Sequence, residues 1–392
     1  MGILTFHRSF NYGAFLQCYS LVKKIQKEFP EHVVEVIDYS LDDNIGYKKA
    51  IERAAGEKRR FFMNRNQAML EGLKYLPLSK ERFTGTPVKE LYEYISANYD
   101  MVIIGSDAVF NWNGKGLPNA FLPGQKTGNL RIAAYAASAH GLNYHKASQV
   151  ELNRVRNSLS LFGYVGVRDC ETENMIQACG GAARVEHTCD PTCFLDLDAL
   201  PVDRNQLEAK LASHNIDLSK PLIGIMAGEP IGRTIKKYFR DKVQLAAVYY
   251  PNKYADVYLD DFNQFEWAVA FRYYNVFITH YFHGTLFALK NGTPCIITER
   301  NTEYRKNYTT KIGDLLNRLD LNEVAYPMDI PNRSLAAKAL IKIGLSDGQY
   351  QKGLIQRILP YAEEKRTMGK YMRSVEKEAQ EFIKFRDYLA SI

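Results

Sequence analysis

The stretch NVFITHYFHGTLFALKNGTPCIITE, residues 275–299, decides the fold. It reads as a strand, a polar turn, a short helix and a second strand. Val276, Phe277, Ile278 and Thr279 make the apolar, β-branched run that a buried parallel strand needs. Residues 280–283 interrupt it. Gly284 lacks a Cβ, so its backbone can come close to a ligand or a neighbouring strand. Residues 285–290 have helical spacing, Asn291-Gly292 ends them, and 294–298 begins the next strand. In a doubly wound sheet the turn after a strand's carboxyl end borders the ligand crevice. A helix N-terminus there offers free N–H groups to an anion. Gly284 and Thr285 open that helix and Tyr281 stands just before it, so all three are expected to line a substrate site. His283 beside them can carry a proton, unless it serves only as a helix cap.

The same rhythm extends in both directions. Residues 2–6 read as a strand, 14–29 as an amphipathic helix and 33–39 as a second strand, the opening of a Rossmann-like half. The loop between them carries His7, Arg8 and Asn11, which can reach an anion, but no G-x-G-x-x-G, so a dinucleotide is not indicated. Strand 99–105 runs into Ser106-Asp107. Asp107 can orient a hydroxyl, act as a base, or cap a helix. Strands follow at 131–138 and 164–167. The second leads into Arg168, placed for a bidentate grip on phosphate or carboxylate or for an ion pair with Asp169 or Glu171. Residues 183–187 make a short strand, and Cys189-Asp190-Pro191-Thr192 a turn. After a polar stretch around 195–219 the rhythm restarts with a strand at 221–227, a helix bearing Arg233, a strand at 244–250 and a helix at 262–271. A helix at 304–319 is expected to carry Arg305 and Lys306 at its start.

The expected architecture is α/β, with two Rossmann-like domains facing a central cleft. The first spans 1–205, with a polar, mostly helical insertion at 41–98. The second spans 215–355. A long closing helix at the C-terminus, 356–392, is expected to pack across both.

Composition narrows the function. A chain of 392 residues suits two domains. No run approaches ~18 uninterrupted apolar residues, so no transmembrane helix is expected. Residues 1–7 lack the charged start and apolar core of a signal peptide. Six cysteines stand at 18, 170, 179, 189, 193 and 295 with no C-x-x-C pair. Cys189, Cys193 and His187 are too loosely spaced for a metal site, so free thiols, no metal and a cytoplasmic location are expected. The net charge of +7 permits an anionic substrate without demanding one. Lys58-Arg59-Arg60 is the densest basic cluster. It can touch phospholipid or a lipid-linked pyrophosphate at a membrane surface, or it can be a solvated helix face. No nucleic-acid motif accompanies the charge.

Six motifs in order carry a resemblance: ILTFHRSFNYGAFLQCYSL (3–21), VIDY (36–39), YDMVIIGSDAVFNWN (99–113), GVRD (166–169), DPT (190–192) and ITHYFHGTLFALKNGTPCI (278–296). Over roughly residues 1–320 the chain resembles the polysaccharide pyruvyl transferase family, whose fold is similar to that of GT-B glycosyltransferases. The resemblance implies transfer of the enolpyruvyl group of phosphoenolpyruvate onto sugar hydroxyls of a surface glycan or its lipid-linked precursor, with phosphoenolpyruvate as co-substrate and no cofactor. It matches Asp107 to the family's aspartate after GS, Arg168 to its donor-binding arginine, and His283 to the histidine of its FHG motif. That histidine is the implied acid, and Asp107 or His280 the base. This chain departs from the family at His280, where Asp is common, and at Tyr281, where well-studied members carry arginine. Arg8, Arg233, Arg300 and Arg305 are the candidate replacements for that cation. Two other functions share the fold: a nucleotide-sugar glycosyltransferase, with Glu299 or Glu303 on the ribose, and a catalytically silent glycan-binding or assembly protein.

Overall fold

The computed structural model describes residues 1–42, 45–125, 127–181, 185–298, 300–301, 309–326, 328–329 and 348–392. Seven strands form the first sheet: β1 (Gly2–Leu4), β2 (Glu35–Ser40), β3 (Leu78–Thr84), β4 (Met101–Ile104), β5 (Arg131–Ala137), β6 (Phe162–Val167) and β7 (Val185–His187). Their order is β3-β2-β1-β4-β5-β6-β7, parallel throughout. The second sheet contains β8 (Leu222–Met226), β9 (Gln244–Ala247), β10 (Val257–Tyr258), β11 (Val276–Thr279) and β12 (Cys295–Ile297), in the order β10-β9-β8-β11-β12. These pairs are parallel too. The central strands β1, β4, β8 and β11, and β12 at the end of the second sheet, are buried along their whole length, which is why they read as unbroken apolar runs. Both sheets reverse direction beside their first strand, and the loops at those carboxyl ends supply the residues described below.

The insertion, expected to be mostly helical, also contains a strand. After the helices Ile45–Arg53 and Gly56–Gly72 it contributes β3, which lengthens the first sheet beside β2. Of its seven residues, LSKERFT, only Ser79 is buried. An edge strand polar on both faces has no period-two signal to read.

The C-terminal segment is helical but not one long helix. It divides into Gly348–Glu363, Gly369–Glu378 and Phe382–Ala390. In the first, Leu354, Ile355 and Ile358 share a core with Ile223, Ile225, Val276 and Ile278 of the second sheet. Between the first and second, the Met368 N–H donates to Gly292 O at 2.7 Å. In the third, Phe385 packs on Tyr135 and Tyr164 of the first sheet, at 4.8 and 5.2 Å between ring centroids. Arg305, Glu299 and Glu303 lie outside the described residues, as does the expected helix before residue 309. Only the backbone of Arg300 is described.

Aromatic packing joins the two sheets' layers. The helix Tyr12–Glu28 follows β1 and lies against the helix Gln264–Ala270. Tyr12 donates its hydroxyl to Phe262 O at 2.8 Å, and its ring lies 5.4 Å from Trp267. Phe15 and Tyr19 meet Phe265 edge-on at 5.7 and 4.9 Å. From the insertion, Arg65 donates to Tyr249 O at 2.8 Å and to Phe10 O at 2.6 Å, with its guanidinium 3.7 Å over the Tyr249 ring. Only 2% of Arg65 is exposed. Arg65 therefore ties the insertion, the first loop and the second sheet together. Arg65→Met keeps the volume and removes the charged hydrogen bonds and the cation–π contact. It is expected to lower stability by about 2–4 kcal/mol, read as a fall in the urea midpoint. An unchanged midpoint would remove Arg65 from the interface's energetics.

Candidate active site

Three loops of the first sheet converge on one guanidinium. Gly105 follows β4; its φ is +122° and a Cβ would sit 2.2 Å from Tyr135 O, so only glycine fits. Asp107 follows with φ +78°, a costly conformation for a non-glycine residue. Its carboxylate accepts the Ala108 N–H at 2.8 Å and Arg168 Nη2 at 3.1 Å. Arg168 leaves the end of β6, is 2% exposed, and donates Nη1 to Asp190 Oδ2 at 2.8 Å. Asp190 comes from the turn after β7. Its Oδ1 caps that turn through the Thr192 N–H and hydroxyl at 3.0 and 2.6 Å, and its Oδ2 also accepts Gln17 Nε2.

Arg168 is thus clamped between Asp107 and Asp190, not paired with Asp169 or Glu171. Asp169 caps the helix Cys170–Ala178 and takes the Ser138 hydroxyl at 2.6 Å. Burial opposes the charge on Arg168, but Asp107, Asp190 and Asp169 outweigh it and raise its pKa. Burial likewise works to raise both carboxyls. Arg168, Lys311 and His283 overcome it at Asp107, and His283, Arg168 and Thr192 overcome it at Asp190, leaving both below the usual range.

The second sheet brings His283. It lies in the first turn of the helix Phe282–Lys290 after β11, 8% exposed, with Nε2 3.7 Å from Asp190 Oδ2. That is ion-pair range and longer than a hydrogen bond. The imidazole sits against Gly13, where a Cβ would fall 2.0 Å from Nδ1. Gly13 is therefore the space that the ring occupies. Phe282, one residue earlier, has the Arg168 guanidinium 4.8 Å from its ring centroid and the Lys311 ammonium 5.4 Å from it. Lys311 opens the helix Lys311–Leu319 and shares a small recess with His140 and Asp169. Burial, with Lys311 and Arg168 next, pushes His140 down to about 4. Burial also lowers Lys115 to about 8, against the pull of Asp107; its ammonium donates to Ala108 O at 3.3 Å.

The remaining sequence candidates are spread more widely. His7 and Arg8 both bind Asp38, His7 at 3.1 Å and Arg8 through two nitrogens. Asn11 caps the helix Tyr12–Glu28 by accepting from Gly13 and Ala14. Arg233 is part-exposed on the helix Glu229–Phe239, close enough to Lys253 to repel its ammonium. His280 and Tyr281 lie against each other, and Tyr281 lies 5.8 and 5.5 Å from Tyr249 and Tyr250. Gly284 permits close helix–strand packing, since a Cβ there would meet Thr279 Oγ1 at 2.6 Å. Thr285 is buried and donates its hydroxyl to Tyr281 O at 3.0 Å. Tyr281, at the N-cap of the helix that starts here, makes no side-chain capping hydrogen bond, which suits an incoming anion. Cys189, Cys193 and the other thiols are free. Among the described residues the one trio close enough to approach a metal is His214, Asp260 and Asp261, and His214 already binds Asp261 at 2.9 Å.

Comparison with known proteins is decisive at this point. A sequence model described as "Polysaccharide pyruvyl transferase" matches residues 11–302. The chain belongs to the polysaccharide pyruvyl transferase family. That span includes Asp107, Arg168, Asp190 and His283, and the family is one of transferases. No curated protein matches the sequence. Solved structures share the fold. UDP-GlcNAc 2-epimerase from Neisseria meningitidis is 10% identical with a TM-score of 0.54, over 98% of this chain and 99% of that one. The Methanocaldococcus jannaschii epimerase is 12% identical with a TM-score of 0.52, over 99% of each. Sucrose-phosphate synthase from Thermosynechococcus elongatus is 14% identical with a TM-score of 0.50, over 100% of this chain and 99% of that one. The fold of this chain is accordingly GT-B-like.

Sequence reasoning passed over Asp190, Gly13 and Lys311. Asp190 was visible as the first residue of DPT but reads as a turn cap, which accounts for only one of its oxygens. Gly13→Ala tests the histidine's seat, because the new Cβ must displace the ring. Its transfer rate is expected to fall as far as that of His283→Ala, about 10²–10⁴-fold, in a kcat/KM comparison of the two variants. Wild-type rates in Gly13→Ala would show that the position of the imidazole does not matter.

Proposed function

We propose that the protein transfers the enolpyruvyl group of phosphoenolpyruvate to two hydroxyls of one sugar, closing a pyruvate ketal on a surface polysaccharide or its lipid-linked precursor. The observation that carries this reading is the Arg168 guanidinium, fixed by Asp107 and Asp190 within reach of His283. Phosphoenolpyruvate brings a carboxylate and a phosphate, and Arg168 with the uncapped helix start at His283 and Gly284 gives them a cation and N–H donors.

In this reading His283 delivers a proton to the methylene carbon, and C2 becomes electrophilic. Asp190 Oδ2 lies 3.7 Å from the Nε2 of that proton carrier. A sugar hydroxyl bonds to C2 and gives its proton to Asp107, which shares Arg168 and is held ionised between turnovers. The C2–O bond to phosphate then breaks, phosphate leaves with the proton that Asp107 took, and the second hydroxyl adds to C2 as its proton returns to His283. One phosphoenolpyruvate and one diol yield one ketal and one hydrogen phosphate. His280, the other expected base, faces the tyrosine cluster and suits contact with the acceptor. No described helix is long and apolar enough to cross a membrane. The free thiols suit a reducing cytoplasm, and the exposed Lys58, Arg59 and Arg60 suit contact with an anionic membrane surface.

Thermal unfolding with phosphoenolpyruvate tests the donor. Saturation at 100 times Kd stabilises by about 2.7 kcal/mol, so the melting temperature should rise. Arg168→Lys should lose most of that rise. His283→Gln should keep the rise while transferring about 10²–10⁴-fold more slowly. Stabilisation by a nucleotide sugar with none by phosphoenolpyruvate would overturn the reading in favour of a glycosyltransferase.

A further inference from the structure

The insertion at 41–98 has no part in the chemistry described so far, yet its residues build most of one cavity. That cavity, of about 310 Å³, lies between the insertion and the loop after β1. Three cations line it: Arg8 from that loop, Lys48 from the helix Ile45–Arg53 and Arg82 from β3. No carboxylate lines it among the described residues. Asp38 stands behind. It accepts from Arg8 through two nitrogens and from His7 at 3.1 Å, and it is the register partner of Arg82 on the neighbouring strand. One carboxylate against Arg8, Lys48 and Arg82 leaves the cavity with an excess of positive charge.

The rest of the wall is largely aliphatic, formed by Ile51, Met69, Leu70 and Leu73. Two lining residues carry buried polar atoms with no hydrogen-bond partner among the described residues: Ser9 Oγ and Gln264 Oε1. Gln264 is 1% exposed. An unpaired buried carbonyl oxygen is costly, and a ligand hydroxyl would relieve it. The way out has the same mixed character. The spacing 59, 63, 66, 70 puts Arg59, Met63, Asn66 and Leu70 in one stripe of the helix Gly56–Gly72. Met63 is 50% and Leu70 53% exposed, and Lys58 and Arg60 flank Arg59 at the far end. An exposed apolar stripe that ends in basic residues suits the interface of an anionic membrane. The loop that carries Arg8 leads into the helix whose Gly13 seats His283, so the cavity and the transfer site share one loop.

We propose that this cavity binds the diphosphate of a prenyl-linked acceptor. Arg8, Lys48 and Arg82 meet the phosphates, Gln264 and Ser9 take sugar hydroxyls, and the hydrocarbon runs out past Leu70 and Met63 to the membrane. The proposal rests on the transfer reading above in calling this ligand an acceptor. A nucleoside diphosphate brings the same anion, but its base and ribose carry polar edges that an aliphatic wall leaves unpaired.

The test titrates farnesyl diphosphate, inorganic pyrophosphate and UDP separately into the full chain while thermal unfolding is followed. Wild type is compared with the double variant Lys48→Gln, Arg82→Gln and with Leu70→Gln. All three side chains are exposed, so the unliganded variants should melt with wild type. Farnesyl diphosphate should stabilise wild type more than pyrophosphate does at equal concentration, and UDP should stabilise it least. The double variant should bind farnesyl diphosphate and pyrophosphate at least about tenfold more weakly. Leu70→Gln should weaken farnesyl diphosphate alone. No response to farnesyl diphosphate, or an equal response in the double variant, would refute the assignment of the cavity, and stabilisation by phosphoenolpyruvate would then leave the donor reading standing. A UDP response as large as that to farnesyl diphosphate, and lost in the double variant, would replace the prenyl carrier with a nucleotide. If farnesyl diphosphate behaves as expected while phosphoenolpyruvate has no effect, the cavity stands as a prenyl diphosphate site and the donor reading fails.

Discussion

The structure of the site depends on one buried ion cluster. Arg168 is 2% exposed, and it is held from both sides by carboxylates on different loops. A guanidinium removed from water is costly unless each end is met, and the same holds for each carboxylate. Once Arg168 is in place, the loops after β4, β6 and β7 can adopt few other arrangements, because displacing any of them strands a charge. Asp190 extends the constraint. Its oxygens also hold Gln17 and the Thr192 turn, so the helix Tyr12–Glu28 is coupled to the guanidinium. The left-handed backbone at Asp107 belongs to the same bargain, since it points the carboxylate at Arg168.

That rigid cluster belongs to one sheet, while His283 comes from the other. Its position therefore depends on how the two sheets' layers are locked. The lock is mainly aromatic: Tyr12 and Trp267, Phe15 and Tyr19 on Phe265, and Arg65 across Tyr249. The contact of the imidazole with Gly13 is made in the same helix that carries Tyr12 and Phe15. Packing between the sheets and placement of the histidine are thus one event. A side chain at 13 would disturb both, which gives the glycine a reason independent of its backbone angles.

The fold was readable because buried parallel strands announce themselves as apolar runs, as 275–279 and 99–105 do. β3 was hidden because LSKERFT is polar on both faces of a sheet edge. The single closing helix was overread: its charged, helix-forming composition says nothing about the break at 364–368, where Met368 binds Gly292 O. At the site, Asp107, Arg168 and His283 were legible from their places after strands. Lys311 was not, because the helix was expected to begin at 304, which put Arg305 and Lys306 at its mouth. Thr310 before the spaced apolar residues Ile312, Leu315, Leu316 and Leu319 is the signal that places the true start. Asp190 needed the tertiary structure, since nothing in a DPT turn shows that its second oxygen faces an arginine and a histidine.

The charges around Phe282 also link donor binding to protonation. With neutral histidines, Arg168, Lys311 and Lys115 balance Asp107, Asp169 and Asp190, so the cluster has little net charge. Burial, then Lys311 and Arg168, hold His140 at about 4, against the opposing pull of Asp169 and Asp107. An anion beside Lys311 and Arg168 would offset the repulsion from those two cations and raise the proton affinity of His140. The cluster is thus close to neutral before an anion arrives, and the cations that an anion would meet are the two beside the Phe282 ring.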